Sequence, residues 1–223
     1  VIQPIKEIVK IAKKFKIHVH CDAVQAVGKI KIDFKSSGLN SMAISSHKIG
    51  GPVGVGALVL SDPFKINPII FGGGQERGHR SGTENLIGIV GFGSASDLVS
   101  KDSELINNIR FKQKQFEGLL KDNLAEIKIF GENVERLPNT TCIYMPHLEA
   151  DAQVIALDIE GYALSAGSAC SSGKVKSSHV LKAMNAEFAA NKSIRISSGW
   201  QNNQNDLEKL AHTYIELYKR SNE

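Results

Sequence analysis

The order of apolar patterns along the first 60 residues is the feature that most limits the fold. A helical spacing of apolar residues comes first, and strand-like runs follow it, interrupted by a glycine-rich turn at 50–54. Helices and short strands that alternate in this way are typical of an α/β layer. The helical positions are Ile5, Ile8, Val9, Ala12 and Phe15, and the predicted strands are 42–45, 55–60 and one from Ile17 that ends on Asp22.

A polar, glycine-dense stretch at 71–83 interrupts this pattern. Long loops of this kind often carry function. The domain boundary is predicted near residue 100, so that residues 1–100 and 101–223 form two domains. Further predicted helices cover 84–98, 102–121 and 152–159, further strands cover 127–130, 141–145 and 193–197, and a closing helix follows an N-cap at Asn205.

Charge and hydropathy argue against several classes of protein. The formal charge of +4 comes from 27 basic and 23 acidic residues with no arginine-rich arm, which argues against nucleic-acid binding. No run approaches the roughly 20 apolar residues that cross a bilayer, so no membrane association is expected. The 3 cysteines lie far apart and form no CxxC pair, which argues against a disulfide framework or a zinc site. We therefore expect a cytoplasmic protein.

Ser45, His47 and Lys48 occur where a predicted strand ends and the glycine-rich turn begins. In α/β proteins, ligand-contacting groups lie at such strand ends. Schiff-base chemistry needs an amine in a pocket, with short hydroxyl side chains and backbone N–H groups nearby for a phosphate. Lys48 is therefore a candidate for that chemistry, and the alternative is a solvated surface lysine.

Asp22 and Gln25 follow another strand end. An aspartate in this position would keep a pyridinium nitrogen protonated, so that the ring withdraws electrons. Gln25 would then form a hydrogen bond with the phenolic oxygen of the same ring. The alternative for Asp22 is the N-cap of a helix, and the two interpretations are compatible.

Cys170 lies in a run of small residues at 165–173 that has neither helix nor strand character. Cys21 and Cys142 are instead embedded in predicted strands, which is typical of core thiols. Lys174 and Lys176 follow Cys170 closely and would favour its thiolate form. Cys170 is therefore the candidate nucleophile.

Two further residues are candidates for anion binding. Arg195 lies in the β-prone run 193–197, where its guanidinium would offer two donors to a substrate carboxylate. An ordinary edge-strand arginine is the alternative. Thr83 would contact a phosphate, or else it caps the helix that follows.

Six ordered segments together resemble the cysteine desulfurases of the NifS/IscS type, within the class V aminotransferases. The resemblance extends across nearly the whole chain. The segments are His20–Gln25, Ser45–Lys48, Gly72–Arg77, Arg80–Asn85, Arg136–Thr140 and Gly167–Cys170.

The resemblance implies the aspartate-aminotransferase-like fold type I of pyridoxal-phosphate-dependent transferases, and a homodimer. Residues 1–100 would be the C-terminal portion of the large, pyridoxal-phosphate-binding domain. Residues 101–223 would be the small C-terminal α/β domain that carries the catalytic cysteine loop.

The resemblance also implies a role for each candidate residue. Lys48 would bind pyridoxal phosphate covalently, and Cys170 would accept sulfur. The cofactor ring would contact Asp22 and Gln25, and the phosphate would contact Ser45, His47 and, from the neighbouring subunit, Thr83. The substrate carboxylate would bind Arg195.

The implied reaction converts L-cysteine to L-alanine and leaves a persulfide on Cys170. An iron–sulfur cluster scaffold is the expected acceptor of that sulfur. Two alternatives stay open. Another class V enzyme, such as an aminotransferase or a selenocysteine lyase, would share Lys48 but need no loop cysteine. An inactive truncated desulfurase is the other, because the imidazole, phosphate loop and asparagine that the family supplies from its N-terminal part do not occur in this sequence.

Overall fold

The computed structural model describes residues 1–62, 66–101, 103–167 and 177–222. The chain divides into two compact units. We call Gln3–Ser103 the N-terminal unit, and Val1–Ile2 with Glu104–Glu223 the C-terminal unit.

The N-terminal unit contains a three-stranded sheet of order β1-β2-β3. Strands β1 and β2 are parallel, and β2 and β3 are antiparallel. Its elements are α1 (Ile5–Lys14), β1 (His20–Asp22), α2 (Phe34–Ser37), β2 (Ser41–Ser45), a 3₁₀ helix (Ser46–Ile49), β3 (Gly56–Leu60), a second 3₁₀ helix (Glu76–Gly78) and α3 (Leu86–Lys101).

The core of this unit forms where α1 packs near the first two strands. Val9 of α1 is buried in one cluster with Ala23, Leu39 and Met42. The strand predicted to start at Ile17 begins only at His20, so that part of the prediction is wrong.

The C-terminal unit contains a four-stranded antiparallel sheet of order β4-β5-β7-β6. Among the described residues its elements are α4 (Ser103–Asn123), β4 (Lys128–Phe130), β5 (Thr140–Tyr144), α5 (Ala150–Ile159), β6 (Ser165–Ala166), α6 (His179–Ala183), a 3₁₀ helix (Glu187–Ala189), β7 (Ser193–Ser197) and α7 (Gln204–Ser221).

A smaller apolar cluster of the C-terminal unit forms around Leu181 and Ala189, and the larger one draws on α4, β5, α5, β7 and α7. Tyr214 of α7 is fully buried there, and its hydroxyl donates to Gln153 Oε1 at 3.4 Å. The amide of Gln153 in turn donates to two backbone carbonyls, at 2.8 and 3.0 Å. The polar side-chain atoms of Tyr214 and Gln153 are therefore paired, as burial requires.

The closing helix α7 begins two residues earlier than the sequence predicted. Its N-cap is Asn203, whose side chain accepts from the Asp206 N–H, while Asp206 accepts from the Asn203 N–H in return. Asn205 lies inside the helix, so the predicted cap at Asn205 is wrong. Within the described part of the chain, none of the helices combines the length and apolar character needed to span a bilayer.

Candidate active site

The carboxyl ends of β1 and β2 form the edge of the sheet that carries the candidate residues. The two strands are parallel, so their carboxyl ends meet at one edge. Asp22 is the last residue of β1 and lies opposite Ala43, two residues before the end of β2 at Ser45. The structure therefore brings the Asp22 and Lys48 segments, each predicted to follow a strand, to the same edge of the sheet.

Lys48 lies on the 3₁₀ helix that directly follows β2, and its side chain is exposed. The helix ends at Ile49, and its C-cap residue Gly50 has a left-handed φ of +84°. The Gly51 N–H closes the turn by donating to the Ser46 carbonyl at 3.0 Å. This turn presents the Lys48 amine just beyond the sheet edge.

Helix α3 supports this turn with three small or β-branched residues spaced four apart. A Cβ on Gly91 would lie 2.5 Å from Pro52 Cγ. One turn further along α3, a Cβ added to Gly51 would lie 3.1 Å from Ala95 Cβ. One turn beyond that, a Cβ added to Gly28 would lie 3.0 Å from Val99 Cγ1. Because residues at this spacing share one helix face, α3 contacts both loops that carry candidate residues.

Ser45 and His47 form a polar pair beside Lys48. The Ser45 hydroxyl and His47 Nδ1 are 2.8 Å apart, and both residues are accessible. A hydroxyl and an imidazole are both able to donate to a phosphate oxygen. The neighbouring Ser46 hydroxyl is buried against Gly51 and has no hydrogen-bond partner in the described residues.

Asp22 is exposed, and its Oδ1 accepts from the Val24 N–H at 3.0 Å. The residues that follow form turns rather than a helix, because Ala26 N–H donates to the Ala23 carbonyl at 2.9 Å and no regular ladder continues. The N-cap alternative for Asp22 is therefore replaced by a local turn of the kind aspartate favours. Its second carboxylate oxygen has no hydrogen-bond partner among the described residues.

Lys29 is a residue that the sequence analysis missed. Its ammonium donates to the carbonyl of Gln25 at 3.1 Å and to Gln25 Oε1 at 3.3 Å. Burial, and then the positive charge of Lys48, lower the pKa of Lys29. The only sequence signal for this contact was the spacing of four residues between Gln25 and Lys29. That spacing predicts a side-chain contact in a helix, whereas this segment forms turns.

Thr83 lies exposed in the loop between the second 3₁₀ helix and α3. The cap of α3 comes from Asn85, whose Oδ1 accepts from the Gly88 N–H at 3.1 Å. The capping alternative for Thr83 is therefore wrong, and its phosphate role stays a prediction.

Arg195 belongs to the C-terminal unit, where it lies half-buried in β7. Strand β7 is flanked by β5 and β6, with Arg195 opposite Cys142 on one side and Ser165 on the other. The edge-strand alternative is therefore wrong. Pairing on both sides fixes the backbone of Arg195, which suits a residue that must hold a ligand in one orientation.

The three cysteines differ in what the structure describes. Cys170 lies outside the described residues, as do Lys174 and Lys176. Cys21 and Cys142 lie in β1 and β5 and are partly buried. Burial raises the pKa of both thiols, and the charge of Asp22 adds to the rise for Cys21, while Arg195 opposes it for Cys142. These two thiols are therefore poor nucleophiles near neutral pH.

Comparison with known proteins supplies the family. The model of the class-V aminotransferases matches residues 1–210. The chain belongs to the class-V aminotransferase family. Relatives within it include the cysteine desulfurase IscS of Methanosarcina thermophila, 36% identical over 98% of this chain, and that of Dictyoglomus turgidum, 39% identical over 92%. The chain spans only 54% and 53% of these two relatives.

Solved structures agree with this class-V assignment. A NifS-like protein from Rickettsia africae has a TM-score of 0.88 and 42% sequence identity, covering 98% of this chain and 58% of that protein. The predicted α/β fold of the pyridoxal-phosphate-dependent transferases is thereby confirmed.

Pyridoxal phosphate is the cofactor of class-V aminotransferases and cysteine desulfurases. The groups at the sheet edge fit it chemically. An amine (Lys48), a carboxylate (Asp22), an amide (Gln25) and a hydroxyl–imidazole pair (Ser45 and His47) are the groups that an aldehyde, a pyridine nitrogen, a phenolic oxygen and a phosphate would need.

Proposed function

We propose that this chain is part of a pyridoxal-phosphate-dependent cysteine desulfurase that converts L-cysteine to L-alanine. The observation that carries the proposal is the shared sheet edge, where Lys48 follows β2 and Asp22 ends the parallel strand β1. Two relatives are named cysteine desulfurases, which supports L-cysteine as the substrate. In this proposal residues 1–100 are the C-terminal portion of the cofactor-binding domain and 101–223 the small domain.

The proposed roles follow from the chemistry of each side chain. When bound, pyridoxal phosphate supplies the electron-withdrawing ring that makes the substrate α-carbon acidic. Asp22 holds the proton on the pyridine nitrogen, and Ser45 and His47 donate to the phosphate. Lys48 is the covalent attachment point and, once the substrate amine has replaced it, the base for the proton on the α-carbon.

Two further residues complete the proposed binding of ligands. Arg195 holds the substrate carboxylate with two parallel N–H groups. Thr83 donates to the phosphate in the neighbouring subunit of a homodimer. The support for Arg195 is its position in an internal strand, and the support for Thr83 is its exposure in a glycine-rich loop.

The sulfur transfer step is assigned to Cys170 on its sequence context. Its thiolate attacks the sulfur of the substrate, the carbon–sulfur bond breaks and a sulfur–sulfur bond forms. The substrate carbon gains the proton that the Cys170 thiol gave up, so cysteine and the thiol become alanine and a Cys170 persulfide. The persulfide then passes its outer sulfur to an acceptor, for which we propose an iron–sulfur cluster scaffold in the cytoplasm.

Radiolabelled sulfur provides the test. The chain is loaded with pyridoxal phosphate and given ³⁵S-cysteine, and both alanine and protein-bound label are measured. We expect label on the peptide that contains Cys170, loss of that label in Cys170→Ser, and loss of both products in Lys48→Ala. Cys21→Ala is the matched control because its thiol is partly buried in β1. Unchanged label in Cys170→Ser would contradict the persulfide role.

A second candidate is that this chain does not hold the cofactor productively by itself. The chain spans about half the length of its relatives. Helix α3 also exposes large apolar side chains, including Leu86 at 70% and Ile87 at 87%. Apolar surface of this kind usually marks a contact with other protein. A soluble 223-residue chain that binds one equivalent of pyridoxal phosphate and forms alanine would refute this candidate.

A further inference from the structure

We propose that Lys29 is a positioning residue that fixes the side-chain amide of Gln25, so that its NH₂ group faces the cofactor ring. This inference rests on the proposed function, because it concerns the same site. It adds a residue that acts through Gln25 rather than by touching the cofactor.

The turn after β1 brings the Lys29 side chain back onto Gln25. The Ala26 N–H donates to the Ala23 carbonyl at 2.9 Å, and the Lys29 N–H donates to the Ala26 carbonyl at 3.0 Å. These two turns connect the end of β1 to Lys29. The Lys29 ammonium then donates to Gln25 twice, to its backbone carbonyl at 3.1 Å and to its Oε1 at 3.3 Å.

The chemistry of an ammonium decides which end of the Gln25 amide it holds. A lysine ammonium has three donors and no acceptor, so it accommodates only the oxygen of an amide. With Oε1 held by Lys29, the NH₂ group of Gln25 points to the other side as a donor. A phenolic or phenolate oxygen needs such a donor, and a rotated amide would present an oxygen to it instead.

Close packing keeps Lys29 beside the Lys48 turn. Gly28 has a φ of +76°, and a Cβ there would lie 3.0 Å from Ile49 Cγ2, so only glycine allows this approach. Ile49 directly follows Lys48 on the same 3₁₀ helix. The charge of Lys48 is one of the two causes that lower the pKa of Lys29, which agrees with this proximity.

The first test uses the cofactor-free chain, so it does not depend on the proposed function. Side-chain ¹⁵N relaxation of Gln25 is compared in the unsubstituted chain, Lys29→Met, Lys29→Arg and the exposed control Lys31→Met. We expect the order parameter of the Gln25 NH₂ group to fall below about 0.6 in Lys29→Met only. An order parameter that is the same in all four proteins would overturn the proposal.

The second test uses the loaded chain and the pH midpoint of the visible absorption band of bound pyridoxal phosphate. A donor to the phenolic oxygen favours its deprotonated form, so its loss raises the midpoint. We expect Gln25→Ala and Lys29→Met each to raise the midpoint by about one pH unit, a tenfold change. Lys29→Arg and Lys31→Met should stay close to the unsubstituted chain.

The double variant Gln25→Ala/Lys29→Met separates positioning from an independent effect. If Lys29 acts through Gln25, the double variant shifts the midpoint no further than Gln25→Ala alone. Additive shifts would overturn the proposal. Absence of any cofactor band would instead show that this chain does not hold the cofactor by itself, and the relaxation test on the free chain would still decide the role of Lys29.

Discussion

Replacing Arg136 with Met should strongly lower the free energy of unfolding of the C-terminal unit, because Arg136 neutralises the buried carboxylate of Glu117. Arg136 donates to Glu117 Oε2 and, at 3.1 Å, to the Thr140 carbonyl. Glu117 also accepts from the Thr141 hydroxyl at 2.6 Å. The side chains of Arg136 and Glu117 are only 16% and 8% exposed, so water does not replace a lost partner. This network joins α4 to β5, the strand that pairs with the strand carrying Arg195.

The magnitude follows from burial. Removing one partner of a buried ion pair costs about 3–5 kcal/mol. Because Glu117 keeps its bond from Thr141, we expect a loss near the lower end, about 3 kcal/mol. The matched control is Lys121→Met, which breaks the ion pair of Lys121 with Glu132. Those side chains are 48% and 33% exposed, so the control should lose about 0–1 kcal/mol.

Urea denaturation followed by intrinsic fluorescence measures the free energy of unfolding of the C-terminal unit. The single tryptophan and all 4 tyrosines of the chain lie in the C-terminal unit. Arg136→Met combined with Glu117→Leu removes both charges and should recover most of the loss. The reasoning is refuted if Arg136→Met costs no more than Lys121→Met, or if the double variant is as unstable as Arg136→Met.

Three further changes test the structure elsewhere. Asn203→Ala should destabilise the chain by about 1 kcal/mol in urea, whereas Asn205→Ala, inside α7, should not; equal losses would contradict the observed cap. Gly51→Ala puts a Cβ 2.2 Å from the Ser46 hydroxyl and should cost about 1–3 kcal/mol by circular dichroism. The double variant Ser46→Gly/Gly51→Ala should recover most of the lost stability. If it does not, the Ser46 hydroxyl is not the group that the new Cβ contacts. Hydrogen bonds from Tyr218 and then His147 lower the pKa of Glu126. The resulting stability is present above the ordinary carboxyl pKa of about 4.5 and is lost as the pH falls below it. Glu126→Gln should therefore reduce the loss of unfolding free energy between about pH 4.5 and lower pH. An unchanged pH profile of the unfolding free energy would show that Glu126 is not the source of this pH dependence.

Regular periodicity explains the parts of the fold that the sequence predicts well. Strand β7 was predicted at 193–197 and is observed at Ser193–Ser197, because buried Ile194 and Ile196 alternate with Arg195. The start of β1 was predicted too early for a local reason. Lys16 has a left-handed φ of 53°, and Ile17 N–H donates back to the Ala12 carbonyl at 3.0 Å. The residues after α1 therefore close the helix before the strand begins.

Short elements depend on contacts that periodicity does not contain. Strand β6 has 2 residues, and it exists because Ser165 and Ala166 pair with β7. Helix α6 has 5 residues and is capped by Ser178, whose hydroxyl accepts from the Leu181 N–H. Neither element has enough length to produce a period in the sequence.

The candidate site was predictable where it depends on strand ends. Asp22 and Lys48 were each expected to follow the end of a strand, and the parallel pairing of β1 with β2 brings their segments to one sheet edge. Lys29 was missed because its contact with Gln25 depends on the turns that follow β1, which a residue count does not reveal.

Borohydride trapping tests directly which lysine binds pyridoxal phosphate. The 223-residue chain is mixed with pyridoxal phosphate, reduced with borohydride and digested, and mass spectrometry locates the pyridoxyl group. We expect one modified lysine, Lys48, and no stoichiometric adduct in Lys48→Ala. Modification spread over surface lysines, or concentrated on Lys29, would contradict the assignment of Lys48 as the residue that binds the cofactor.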